Sequence, residues 1–353
     1  MCYFSLGDFI YMNPTTHPSY PPNLESGRIF DATGDFRDRF NRRSFQFKHN
    51  LGGSRLFELP RLVSLAETLL ELQGPSSVAW TSSNAELNFR WSDMKKKDRR
   101  ESLTAAIQNL ETSGSWMLLY RVQTDPVYRN LMNQVIAEVA QLSGEEELER
   151  DITWRDAYIF LASPLSVTPY HIDHESTFLF QIHGRREANI WNREEPGVLP
   201  DTEKEAYYGG NLSAATYRTE NQSKASVYDM VAGTGVHHPV LAPHAFKNGP
   251  TYSVALGVHF CLRKWDERAR VHQMNSCLRR LRLEPTPAGS SKWRDWLKIQ
   301  ALGLLSKRRP RNKNELLRSG FARLSFPFTL ASRLKRRIGV SPQPGTDSPR
   351  KAI

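Results

Sequence analysis

The chain has 353 residues, of which 39% are hydrophobic and 24% charged, values of an ordinary globular protein with apolar surface for a sizeable core. Its formal net charge is +11, unevenly placed: from Arg263 onwards there are 23 Lys+Arg against 6 Asp+Glu, while the residues before it are mildly acidic on balance. No apolar run approaches the roughly 20 residues that a membrane-spanning helix needs, and three cysteines (Cys2, Cys261, Cys277) without a CxxC pair argue against a disulfide framework or a thiolate metal site.

The N-terminal MCYFSLGDFIYMN is fairly apolar, yet it lacks a basic n-region and carries Asp8, so it does not read as a secretion signal. Together with the cysteine usage this predicts a reducing, cytoplasmic setting. Residues 1–55, rich in Pro, Gly, Asn and Arg, read as an irregular lead-in. Residues 56–150 read as a helical part that packs on the β-rich region C-terminal to it. Leu62, Leu65, Leu69 and Leu70 share one face over 59–72, helix is expected over 100–113, and Tyr128, Leu131, Val135 and Val139 recur at helical spacing over 126–142.

From about Trp154 the period changes. Seven short segments rich in β-branched and aromatic residues appear, separated by turn residues: AYIFLAS, SVTPYHI, TFLFQI, REANIWN, SVYDMV, PVLAPHAF and YSVALGVHF. They predict an all-β sandwich or barrel over 151–262. The polar stretch 194–223, with Gly209-Gly210, is expected to loop out between its halves. Residues 263–340 read as a basic helical extension interrupted at Pro310 and Pro327, and 341–353 as a disordered tail. No repeat of fixed period is present. The fold class is a mainly β core with N-terminal helices and a C-terminal helical extension, α+β overall.

The chemistry centres on TPYHIDHESTFLFQIHGRR, residues 168–186. His171 and Asp173 are two apart, so on a strand one imidazole and one carboxylate project to the same side. A distant third imidazole would complete a 2-His-1-carboxylate set that leaves coordination positions open. His-x-Asp alone is a weak signal in a chain with 10 histidines. The second block, GVHHPVLAPHAFKNGPTYSVALGVHF over 235–260, offers His244 after a Pro and before an Asn-Gly turn, with His237 and His238 as competitors. Tyr158, Tyr170 and Trp191 read as core packing.

These two blocks resemble the Jumonji-C and cupin-like 2-oxoglutarate- and Fe(II)-dependent oxygenases, in particular their asparaginyl-hydroxylase-like branch. The resemblance covers roughly 110–262 and implies a double-stranded β-helix of the cupin or jelly-roll type. It further implies Fe(II) held by His171, Asp173 and His244, with Thr168, Arg186, His259 and Thr177 around the cosubstrate. Arg186 stands where the family usually has the Lys that pairs with the distal carboxylate of 2-oxoglutarate; both are cations, and Arg can grip a carboxylate through two nitrogens. His259 and Thr177 stand where relatives often have Asn.

The implied activity is hydroxylation of a C–H bond in a protein or peptide side chain or a small metabolite, with 2-oxoglutarate and O2 converted to succinate and CO2. The alternative is a non-catalytic cupin-like metal- or ligand-binding protein. For the basic extension the charge asymmetry suggests an anionic partner such as nucleic acid or an acidic surface. Packing on the barrel or within a homodimer, or lying on a membrane through Trp293, Trp296, Leu297, Leu304 and Leu305, are the other readings.

Overall fold

The computed structural model describes residues 27–31, 36–82, 86, 102–307, 310 and 313–337. The tail 341–353 and the first 26 residues of the expected lead-in lie outside the described residues. In chain order the elements are β1 (Phe30–Asp31), α1 (Phe36–Arg39), β2 (Phe45–His49), α2 (Leu59–Gln73), β3 (Val78–Ser82), α3 (Leu103–Gln108), β4 (Ser115–Leu119), α4 (Pro126–Ser143) and α5 (Leu148–Asp151). Then come β5 (Ile152–Ala162), β6 (Val167–His171), β7 (Ser176–His183), β8 (Arg185–Trp191), α6 (Asp201–Tyr208), β9 (Ala225–Val231), β10 (Thr234–His238), β11 (His244–Asn248) and β12 (Ser253–Leu262). Three helices complete the order: α7 (Arg263–Arg280), α8 (Lys292–Leu305) and α9 (Lys313–Arg337).

Among the described residues one sheet has eight strands in the order β1-β2-β10-β7-β12-β5-β4-β3, and the other has four, β6-β11-β8-β9. Every pairing is antiparallel. From β5 onwards the chain winds between them, with β5, β7, β10 and β12 in the large sheet and β6, β8, β9 and β11 in the small one. That winding makes a double-stranded β-helix, the jelly-roll solution to burying two sheet faces against each other. The turn from β7 to β8 is a single residue, Gly184, at φ +77; a Cβ there would come within 2.3 Å of the Tyr252 carbonyl oxygen, so only glycine closes it.

The helices that lead in do so for readable reasons. At α4 the Asp125 carboxylate accepts from the Val127 amide at 2.9 Å, and Pro126 begins the first turn where no amide partner is needed. Its buried stripe of Tyr128, Leu131, Met132, Val135, Ile136 and Val139, with Leu62, Leu65 and Leu69 of α2, covers the outer face of the large sheet. Between the sheets a smaller cluster of Leu179, Ala188, Ile190, Met230, Val236, Ala242, Phe246 and Ala255 fills part of the interior.

Several sequence expectations change in detail. The lead-in is not wholly irregular: FQFKH of β2 alternates buried and exposed and pairs with β10, adding to the barrel's large sheet. β3 and β4 lie inside the stretch expected to be helical, and α3 is shorter than 100–113. Of PVLAPHAF only the part from His244 is strand, whereas the preceding GVHH forms β10. The loop 194–223 contains α6. Pro327 lies inside α9 instead of interrupting it; a proline forfeits one hydrogen bond, here to the Arg323 carbonyl, and the helix runs on. No helix among the described residues is long and apolar enough to cross a membrane.

Candidate metal centre

His171 ends β6 and His244 begins β11, and the two are direct partners in the ladder. Sheet pairing alone therefore brings together imidazoles 73 positions apart; their ring centroids are 4.1 Å apart. Asp173 lies just beyond β6, and its loop is fixed because the Leu241 amide donates to the Asp173 carbonyl at 2.8 Å. The same loop is tied down at His174, whose Nε2 sits 2.8 Å from Asp266 Oδ1 and whose Nδ1 is 2.7 Å from the Tyr208 hydroxyl. With Nε2–H donating to the carboxylate, Tyr208 O–H donates to Nδ1, so both ring nitrogens of His174 are engaged.

The His171 Nδ1–H donates to the Pro169 carbonyl at 2.8 Å and the His244 Nδ1–H to the Ala242 carbonyl at 2.9 Å. Both donors fix the tautomer, so each Nε2 is the nitrogen that carries the lone pair a metal would use. Each Nε2 lies 3.6 Å from Asp173 Oδ2, and the three candidate ligand atoms lie within 4.8 Å of one another. That spacing suits donors to one divalent ion at about 2.0–2.2 Å. Burial, helped by the neighbouring His171, pushes the His244 pKa well below its usual range, which keeps the ring neutral and able to donate to a metal. The Asp173 side chain is 35% exposed against 3% for His244, so the open side of the trio faces the cavity beside it.

That cavity has a volume of about 350 Å³, and Thr168, Thr177, Arg186 and His259 line it together with the trio. All seven residues singled out in the sequence are thus brought to one place. Arg186 on β8 is 3% exposed; its Nε donates to Asn248 Oδ1 at 3.1 Å and its Nη2 to Ser253 Oγ at 3.0 Å. Both partners are neutral, the Phe246 ring lies 5.5 Å below the guanidinium carbon, and burial lowers the pKa to about 10. Thr168 Oγ1 accepts from the Trp116 indole at 3.2 Å, and Thr177 Oγ1 is 3.0 Å from His259 Nδ1.

Of the other aromatic residues, Tyr170 and Trp191 pack edge to face at 5.0 Å in a buried cluster, as expected, whereas Tyr158 lines the cavity. The two competing histidines separate. His238 faces the cavity with its ring 4.1 Å from that of His244, while His237 points to the other side of the sheet and stacks on Phe178 at 4.5 Å. Sequence reading missed Trp116, Asn248 and Ser253 as partners, and missed that α6 and α9 contribute Tyr207, Leu317 and Arg318 to the cavity wall. Asn248 does sit in the quoted second block; the contribution of α9 carries no local signal.

The chain is similar to several solved structures. The X-ray structure of E. coli ycfD is 13% identical, with 85% of this chain and 72% of that chain covered and a TM-score of 0.44. The structure of YcfD, a ribosomal oxygenase from Escherichia coli, in complex with cobalt and 2-oxoglutarate is 15% identical, covering 84% and 71%, with a TM-score of 0.43. The DMSP lyase DddQ from Ruegeria pomeroyi is 16% identical over 31% of this chain and 39% of that chain, with a TM-score of 0.20. No family model matches the sequence. No curated protein matches it.

Proposed function

We propose that this protein is an oxygenase that binds Fe(II) through His171, Asp173 and His244 and uses 2-oxoglutarate as cosubstrate to hydroxylate a C–H bond of a protein or peptide side chain or a small metabolite. Two imidazoles and one carboxylate without thiolate, open on one side, are a donor set suited to Fe(II). When bound, iron with 2-oxoglutarate supplies O2 activation, with succinate and CO2 as coproducts. The chain's own residues do the rest. The carbonyls of Pro169 and Ala242 aim the two imidazoles, and burial keeps His244 neutral. Arg186, in the wall of the same cavity, would receive the distal carboxylate, and Thr168 is held beside that cavity by Trp116.

The observation that carries this reading is Arg186. A fully buried guanidinium with only neutral hydrogen-bond partners is costly, and among the described residues none supplies it with a carboxylate. An incoming carboxylate would offset that cost, which is why a dicarboxylic acid fits the same cavity as the metal ligands. The test is to load the protein with Mn(II), titrate 2-oxoglutarate, and separately assay succinate formation with Fe(II). The wild type binds 2-oxoglutarate and forms succinate; Arg186→Met weakens 2-oxoglutarate binding by more than about tenfold while metal affinity stays. Stoichiometric metal with neither binding nor succinate would leave the non-catalytic metal-binding reading instead.

A further inference from the structure

We infer that Arg318, on α9, receives an oxyanion of a compact substrate at the half-buried end of the cavity. The inference rests on the oxygenase reading and names a substrate class for it. The basic extension folds back on the barrel. Phe321 is 5% exposed, with the Arg280 guanidinium carbon 5.7 Å from its ring centroid. Gly320 meets α8 backbone to backbone, since a Cβ there would lie 2.5 Å from the Leu302 carbonyl oxygen. Gln273 of α7, 1% exposed, donates from its amide to the Leu317 carbonyl. These contacts set Leu317 and Arg318 into the wall of the cavity that the metal trio lines.

Arg318 lies beside the C-terminal end of α6. The Arg318 Nη2 lies 2.4 Å from where a Cβ on Gly210 would stand, so the guanidinium rests against the backbone at Gly210, a residue whose φ of +111 itself favours glycine. Among the described residues the Arg318 guanidinium makes no hydrogen bond or ion pair. Two arginines thus line one cavity, the buried Arg186 and the half-buried Arg318. Once the cosubstrate takes Arg186, Arg318 remains as the cation for the substrate, with Tyr207 and Leu317 as apolar wall beside it. A volume of about 350 Å³ shared by cosubstrate and substrate favours a small molecule with an apolar body and one oxyanion.

The experiment titrates the protein by calorimetry, both loaded with Mn(II) and 2-oxoglutarate and with neither, using 3-phenylpropionate, benzyl phosphate and the neutral 3-phenylpropionamide. One of the anions binds the wild type about tenfold tighter than the amide, and which one it is tells carboxylate from phosphate. Arg318→Gln abolishes that preference, Arg318→Lys keeps part of it, and both bind 2-oxoglutarate as the wild type does. Equal binding of anions and amide to the wild type, or a preference that survives in Arg318→Gln, overturns the inference. So does a loss of 2-oxoglutarate affinity in Arg318→Gln, which would assign this cation to the cosubstrate. Wild type that fails to bind 2-oxoglutarate yet prefers an anion through Arg318 would sink the oxygenase reading alone.

Discussion

The two faces of β7 and β12 are made by the same strands and do opposite things. Outward, Phe178, Phe180 and Ile182 of β7 and Val254, Leu256, Val258 and Phe260 of β12 join a cluster with Phe30, Phe36, Phe45 and Phe47 and the helices above it. Several of its rings meet edge to face, as with Phe30 and Phe36 at 5.2 Å and Phe47 and Phe180 at 5.1 Å, and others stack, as Phe36 does on Phe178. Inward, the alternate positions include Thr177, Leu179, Ala255 and His259, smaller or polar, and the cavity lies beside them. Period-two alternation thus gives one strand a sealed face and a working face. β10 repeats the division within a single dipeptide, His237 outward on Phe178 and His238 inward beside His244. Stability is concentrated on one side of the sheet so that the other can keep polar groups around open space.

Mutations on either side should separate these roles, and the largest effect belongs to the outer face. Phe178 is fully buried and touches several rings, so Phe178→Ala should lower the unfolding free energy by about 3–5 kcal/mol, read by urea denaturation. In the protein that stays folded, Mn(II) affinity should hold near the wild-type value; a parallel collapse of metal binding would mean that the two faces are not separable. Asp173→Ala should do the converse. Removing a supporting group around a metal costs roughly 10–100-fold in affinity, so a direct ligand should cost about 100-fold or more. The carboxylate is partly exposed, so the metal-free protein should unfold at the wild-type urea concentration. Retained Mn(II) affinity in Asp173→Ala would remove that residue from the site.

The same contrast explains which elements are legible in the amino-acid sequence. Strands with strong alternation or unbroken apolar runs, such as TFLFQI and YSVALGVHF, announce themselves because both of their faces are covered. β1 to β4 do not: they are two to five residues long, and their place in the sheet depends on partners far along the chain, as β2 depends on β10. The site obeys a similar rule. His171 and Asp173 are local to each other, and the resemblance supplied His244, whose pairing with His171 is a fact of the ladder. Arg318 stayed invisible because a basic residue in a basic helix looks solvated until the fold of α7, α8 and α9 turns it to the cavity.

The smallest effect sharpens the comparison through pH. His49 and His237 both lie among the rings of the outer face: His49 is 5.2 Å from Phe180, and its Nε2–H is shared by the carbonyls of Gln181 and Thr234. Burial lowers the His49 pKa to about 4 and that of His237 to about 3. An unfolded histidine titrates near 6.5, so the unfolded chain takes up protons first as the pH falls. The stabilisation from keeping these rings neutral is complete above pH 6.5 and is lost as the pH falls through 6.5 towards 4 and then 3. Both rings contribute to that loss, visible as a falling urea midpoint over this window. His49→Gln should flatten the upper part of the slope and lower the plateau at neutral pH, because the amide does not reproduce both the ring packing and the two carbonyl contacts. If His49→Gln leaves the slope as steep as in the wild type, the acid sensitivity belongs to other groups and the outer face is not where protons unfold this protein.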